Sequence, residues 1–367
     1  MPAPVPILLC VRELHQGGCE SDLTKLAIHI DRTRFEPHVA SFYREGMRAG
    51  QLRAAGLEPV TFPVRSFRSL ASLRNARAIA AYVRRHGIRL IQNFDVPTSV
   101  FVTAAARSTG ALLLNSQLSY RSLVSRPYRW LLRLSDRLAT ALVVNCHAMR
   151  RHVVEDEGVP ASRVHVCFNG IDTSLFHPRE RRRRAELQGA PLAVGVVAAL
   201  RPEKGLTDLI DAFARARLGD ARLVIIGSGA MLPVLTARAE ALGIAARALF
   251  VPATSEVPSW LRSIDVFALP SRSEALSNAL MEAMACGCAP IASRVGGNPE
   301  LVEDGANGCL FPAGDVDRLA DCLAQLGRDA ESREAFGRAS AAIIEERFSL
   351  RAYVTRMEDL YATLLRL

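Results

Sequence analysis

The sequence predicts an α/β fold made of two doubly wound domains. Short apolar runs alternate with helix-length segments along the whole chain, the pattern of parallel sheets covered on both faces. A stretch rich in turn formers and arginine, NGIDTSLFHPRERRRRAELQGAP, divides these runs into two groups. A length of 367 residues gives each group room for its own core.

In the first group, strands are expected near residues 5–11, 37–42, 58–62, 88–93, 111–115, 141–145 and 164–168. In the second they are expected near 192–199, 221–226, 247–251, 264–269, 289–293 and 308–311. The expected partition is a first domain at 1–171, a linker at 172–190, a second domain at 191–346 and a C-terminal segment at 347–367. That last segment, FSLRAYVTRMEDLYATLLRL, has helical apolar spacing at Tyr353, Met357, Leu360, Tyr361 and Leu364.

Composition narrows the function classes. Hydrophobic content is 49% and the formal net charge is +9, with lysine only at Lys25 and Lys204. A basic balance suits phosphate-bearing ligands, nucleic acid or anionic membrane. No tract interleaves basic and aromatic residues, so nucleic acid is not an expected partner. Arg181–Arg184 is read as a solvated linker face. MPAPVPILLCVRELH is too short and lacks the basic lead of a signal peptide. No charge-free run approaches the ~20 apolar residues of a membrane span. Eight cysteines occur without a CxxC pair and are read as core thiols of a cytoplasmic protein. No His/Cys/Asp/Glu cluster has metal-ligand spacing. Asp315-Val-Asp317 opens a helix after Gly314, which makes capping its better explanation.

In doubly wound sheets, ligands gather beyond the carboxyl ends of the strands. Four loops of the second group follow strands and carry LRPEKGL, GSGAM, SRSEALS and RVGGNPE. They offer the cations Arg201 and Lys204, several glycines, and the carboxylates Glu274, Glu282 and Glu300. Cations and glycine amides suit a diphosphate, and carboxylates accept sugar hydroxyls. Each signal alone has an ordinary structural explanation, and their joint placement carries the reading. GSG lacks the third glycine of GxGxxG and reads as a strand–helix turn, which argues against a nicotinamide oxidoreductase.

The second half resembles the family 4 glycosyltransferases, which have the two-domain GT-B fold. The resemblance rests on Glu274 and Glu282 in SEALSNALMEAMACG, on VGGNPELVEDGANGCLFPAGD, on RPEKGLTDLIDAF and on FNGIDTSLFHP. It runs from about residue 165 to 325, and more loosely through Gly17-Gly18 in the first half. It implies two Rossmann-like domains facing each other across a cleft, with the final helix crossing back to the first. It also implies metal-free transfer of a sugar from a nucleotide diphosphate to a hydroxyl acceptor, with retention at the anomeric carbon. No cofactor is expected.

The resemblance further implies residue roles. Glu274 accepts donor-sugar hydroxyls, and Glu282 accepts the ribose hydroxyls. Arg201 and Lys204 meet the diphosphate. Gly17, Gly18, Val251, Ala275, Leu276, Ser277 and Asn278 line the nucleotide-sugar site, with Ser277 as the N-cap of the helix between the glutamates. The chain departs from the family pattern in three places. Ala199 stands where an arginine is usual, and Arg201 is expected to replace it. Ala275 stands where glycine is usual, so the loop must keep a conformation alanine allows. Gln117 stands at the expected position of a first-domain histidine, where it can hold a hydroxyl but cannot act as a base. The expected acceptor is a glycan or a lipid-linked molecule. Two alternatives remain: a sugar-nucleotide epimerase, or a binding module that has lost catalysis.

Other first-half residues are ambiguous. His15, ahead of Gly17-Gly18, is a candidate for the acceptor, and His147 reads as an ordinary helix-start histidine. VSRPYRWLLRLSDRLATAL, residues 124–142, has Arg126, Arg129, Arg133 and Arg137 on one face. Leu131, Leu134, Leu138 and Leu142 form another. The preferred reading packs these leucines on the sheet with the arginines in water. The sharper one places the segment on an anionic membrane surface, at the inner face of the membrane.

Overall fold

The computed structural model describes residues 3–15, 17–43, 46–63, 71–121, 126–178 and 183–367. They form two compact units: residues up to Gly170 together with Leu350–Leu367, and Ile171–Ser349. The residues expected to form a linker, where described, fall in the second unit, with Leu187 and Ala190 buried.

The first unit holds a parallel sheet of β1 (Val5–Val11), β2 (Phe35–Ser41), β3 (Val60–Thr61), β4 (Leu90–Asn93), β5 (Leu112–Gln117), β6 (Ala141–Val144) and β7 (Val164–Val166). Their spatial order is β3-β2-β1-β4-β5-β6-β7. The second holds β8 (Ala193–Val197), β9 (Arg222–Ile226), β10 (Ala248–Val251), β11 (Val266–Leu269), β12 (Ala289–Ser293) and β13 (Cys309–Phe311), in the order β10-β9-β8-β11-β12-β13. Every strand lies within or overlaps a region expected from the sequence. The apolar runs form strands because helices cover both faces, leaving no polar side to alternate with. β11 and β12, for example, are buried along their whole length. Chain order reverses between β1 and β4 and between β8 and β11. Such a reversal splays the adjacent loops apart and leaves a crevice at the carboxyl edge.

Helix Leu350–Leu365 belongs to the first unit. Tyr353, Met357, Leu360 and Tyr361 join Ile7, Leu9 and Phe35 in one buried cluster. The Tyr361 ring meets Phe35 edge-on with centroids 5.7 Å apart, and its hydroxyl bonds the buried Gln92. The apolar spacing of this helix is therefore its docking face.

Two expectations are corrected. The arginine run is not a uniformly solvated face: Arg181 and Arg182 lie outside the described residues, but the next two pack on the second unit. Arg183 donates to Asp265 at 2.8 Å, and the Arg184 guanidinium lies 4.3 Å from the Trp260 ring centroid. A guanidinium can stack on an aromatic face while keeping its hydrogen bonds, so a charge run need not be solvated.

The leucine stripe of helix Arg126–Leu138 does not face the sheet. Leu131, Leu134 and Leu138 are exposed, whereas Leu142 lies buried in β6. The inward face of the helix is instead Leu132, Ser135 and Asp136. Ser135 Oγ lies 2.5 Å from Thr103 Oγ1, and Asp136 accepts from Arg121 at 2.6 Å and Asn115 at 3.1 Å. A buried polar network thus turns the leucines outward. Residues 124 and 125 of the expected segment lie outside the described residues.

Candidate functional site

The reversal between β8 and β11 brings together the loops that follow these strands. The β8 loop runs through Arg201 to a short 3-10 turn, Pro202–Lys204. The β11 loop carries Ser271 through Ser277. Lys204 Nζ donates to Glu274 Oε1 at 2.6 Å, and Ser271 Oγ donates to the same oxygen at 2.8 Å. Both charged groups are largely enclosed by protein.

Two glycines make this approach achievable. At Gly205 a Cβ would lie 2.2 Å from Pro270 O, and at Gly296 a Cβ would lie 1.8 Å from Glu274 O. Both adopt positive φ, 63° and 51°, which a side chain disfavours. Gly297 N–H then donates to Ala275 O at 2.6 Å. The β11 loop is thus clamped by the β8 loop on one side and the β12 loop on the other. Among the described residues the only non-glycine positions with positive φ are Arg217 and Arg366. Ala275 therefore keeps a conformation alanine allows, as its sequence position requires.

Helix Asn278–Ala285 follows directly. Ser277 caps it, its side chain accepting from Leu280 N–H at 3.3 Å. Ala275 and Leu276 are buried beneath the loop, and Asn278 at the first helical position is half-buried. Within 280–286, Glu282 alone keeps partial exposure while its neighbours are buried. Val251 ends β10 half-buried, and its carbonyl accepts from Gly227 N–H at 2.8 Å. Arg201 is mostly solvent-exposed, 3.9 Å from Glu203. The structure thus joins Lys204, Glu274, Ser277 and the start of their helix in one place, with Arg201 at the open rim of the same loop.

The corresponding reversal in the first unit lies between β1 and β4. Gly17 precedes helix Gly18–His29. A Cβ at Gly17 would lie 2.0 Å from Glu20 Oε2, so the protein's own carboxylate covers this glycine. Arg12 Nε stands 3.7 Å from Asp95 Oδ2. Burial raises Asp95 to about 6 against the pull of Arg12, and raises Asp22 to about 6 as well. Glu20 is raised too, chiefly by burial. Sequence reasoning passed over Glu20, Asp22 and Asp95, although Asp95 follows a strand and so met the strand-end rule. His15 is exposed, its carbonyl accepting from Arg48 at 3.0 Å. His147 starts its helix with its ring 5.7 Å from that of Phe168.

Gln117 is corrected. It lies at the end of β5 but is fully buried, and Nε2 donates to Glu157 Oε1 at 2.9 Å. Glu157 also accepts from Arg121 at 3.1 Å. Gln117 is therefore part of the buried network, and its Oε1, which has no hydrogen-bond partner there, is buried as well. The expected capping role of Asp315 is present: it accepts from Arg318 N–H at 2.9 Å. Among the described residues, no group of three or more His, Cys, Asp or Glu side chains is arranged to hold a metal ion. No helix among them is long and apolar enough to cross a membrane.

Comparisons with known proteins bear on both units. Residues 16–175 match the family model described as Glycosyltransferase Family 4, and residues 178–342 match that of Glycosyl transferases group 1. A D-inositol 3-phosphate glycosyltransferase of Mycolicibacterium paratuberculosis is 35% identical over 215 residues, 56% of this chain and 48% of that one. Its counterpart in Mycobacterium tuberculosis strain H37Ra is 34% identical over 200 residues, 52% and 41% of the two chains. The chain spans about half the length of the curated relatives it matches. Anabaena HepE, solved with UDP-glucose, superposes with a TM-score of 0.86 over 98% of this chain and 99% of that one, at 22% identity. Sucrose-phosphate synthase from Thermosynechococcus elongatus gives 0.84 over 99% of each chain, at 17% identity. These likenesses establish the fold: two parallel-sheet, Rossmann-like units.

Proposed function

The chain belongs to the family 4 glycosyltransferases, and from that premise we propose that it transfers a sugar from a nucleotide-diphosphate sugar to a hydroxyl acceptor, with retention and without a metal. The observation that carries the proposal is the Lys204–Glu274 pair at the reversal between β8 and β11, next to the helix capped by Ser277.

Each group has a task in this reading. Lys204 and Arg201 meet the diphosphate, as charge-assisted donors. The N-terminal end of helix Asn278–Ala285 adds a positive dipole end where negative charge grows on the leaving group. Glu274, paired with Lys204, accepts hydroxyls of the donor sugar. Glu282, the partly exposed position within the buried stretch 280–286, accepts the ribose. In the reaction the bond from the anomeric carbon to the diphosphate oxygen breaks. The acceptor oxygen bonds to that carbon on the same face, and its proton passes to the departing diphosphate. This route needs no protein base, which accords with the burial of Gln117. The proposed acceptor is a glycan or a lipid-linked molecule, in polysaccharide or glycolipid assembly.

The test is incubation with UDP-, GDP- and ADP-sugars, followed by analysis of products. UDP-glucose is the first donor to try, since HepE was solved with it. Slow hydrolysis to nucleotide diphosphate and free sugar is expected. Interconversion of sugar nucleotides would replace the proposal with an epimerase, and binding without turnover would replace it with a binding module.

A further inference from the structure

Helix Arg126–Leu138 carries an exposed face that the transfer chemistry does not use. Trp130 is 64% exposed, Leu131 38%, Leu134 40% and Leu138 40%. At 3.6 residues per turn, Trp130, Leu134 and Leu138 fall on one line with Leu131 beside it. Exposed Arg133 and Arg137 occupy the next line round the helix. Arg129 and Arg133 also line a pocket of about 200 Å³ with Tyr120, Arg121, His152, Asp156 and Glu157. The opposite face is committed inward through Leu132, Ser135 and Asp136, so the helix cannot turn its leucines in without breaking that network.

We propose that this face rests on an anionic lipid bilayer. A tryptophan with three leucines, bordered by arginines, fits the boundary between acyl chains and negatively charged headgroups. Charge complementarity selects the bilayer over a second copy of the chain. An antiparallel two-fold contact through this face would set its arginine line against that of the second copy. Attraction to anionic headgroups is worth roughly a fivefold gain in partitioning per arginine near the surface. The proposal is separate from sugar transfer, because vesicle binding is read without donor or acceptor.

The chain has two tryptophans, and the other, Trp260, is only 3% exposed beneath Arg184. Emission therefore reports Trp130 when the surroundings of that face change. The experiment adds vesicles of phosphatidylcholine alone, or mixed with phosphatidylglycerol, to the full chain, and follows emission and co-sedimentation. Binding to the anionic vesicles with a blue shift, weakened by salt, is expected. Trp130→Phe should lose the shift. Leu134→Glu with Leu138→Glu should abolish binding, and Arg133→Gln with Arg137→Gln should lower it tenfold or more. All five side chains are exposed, so circular dichroism and nucleotide affinity should be unchanged in these variants. Absence of binding to anionic vesicles overturns the proposal, as does equal, salt-insensitive binding to both kinds. A dimer that Leu134→Glu dissociates overturns it in favour of a protein contact.

Discussion

Lys204 and Glu274 form an ion pair of 2.6 Å although seventy positions separate them in the chain. The pair exists because β8 and β11 are neighbours at the point where strand order reverses. It sets the electrostatics of the proposed donor site before any ligand arrives. An incoming diphosphate competes with Glu274 for the lysine, and the donor sugar competes with the lysine for Glu274.

Lys204→Ala should fold and lose nucleotide-diphosphate affinity roughly ten- to hundredfold, since a charge-assisted hydrogen bond is worth about 1.5–3 kcal/mol. Calorimetry with UDP and GDP is the measurement. Unchanged affinity would remove Lys204 from the site.

Glu274 and Glu282 should separate by ligand part. Glu282→Gln weakens both the free nucleotide diphosphate and the full donor, because both carry ribose. Glu274→Gln lowers turnover of the full donor but spares the free diphosphate, since it releases Lys204 from its partner. Equal loss of free-diphosphate binding in the two variants would refute this division.

Much of this site was legible in the sequence. Strands were visible because parallel strands buried on both faces are continuous apolar runs. Ser277 was visible as a cap, and the glutamates as carboxylates stranded in an apolar crossover. The Lys204–Glu274 contact was not, since spacing along the chain does not give the order of strands in a sheet. The helix at 126–138 was read from its arginines and leucines alone, whereas its inward face is made by Ser135 and Asp136, held by Arg121, Asn115 and Thr103. Gln117 was placed at the correct strand end, but its burial depends on Glu157, forty residues away.

Activity should survive chelation. In the proposed mechanism Lys204, Arg201 and the helix start at Ser277 supply the positive charge that a leaving diphosphate needs. Turnover is compared before and after EDTA treatment. Loss on chelation, with restoration by magnesium or manganese, would overturn the metal-free mechanism.

Asp22 gives a stability prediction with a definite sign. It is buried in the first unit, and Oδ1 has no hydrogen-bond partner there. Burial raises it from 3.8 to about 6, against the pull of Lys25 and Arg48. Between about pH 4 and 6 the folded chain therefore holds more protons at this site than the unfolded chain. Stability contributed by Asp22 is full below about pH 4, falls as pH rises through that window, and is level above it. Asp22→Asn removes the titration. Relative to the parent, the variant should gain stability from pH 4 to 6 and reach a plateau of about 1–3 kcal/mol by neutral pH. Urea unfolding of both proteins from pH 4 to 7.5 measures the difference. A difference that stays constant with pH, or shrinks as pH rises, would show that the Asp22 carboxylate is solvated or paired in solution.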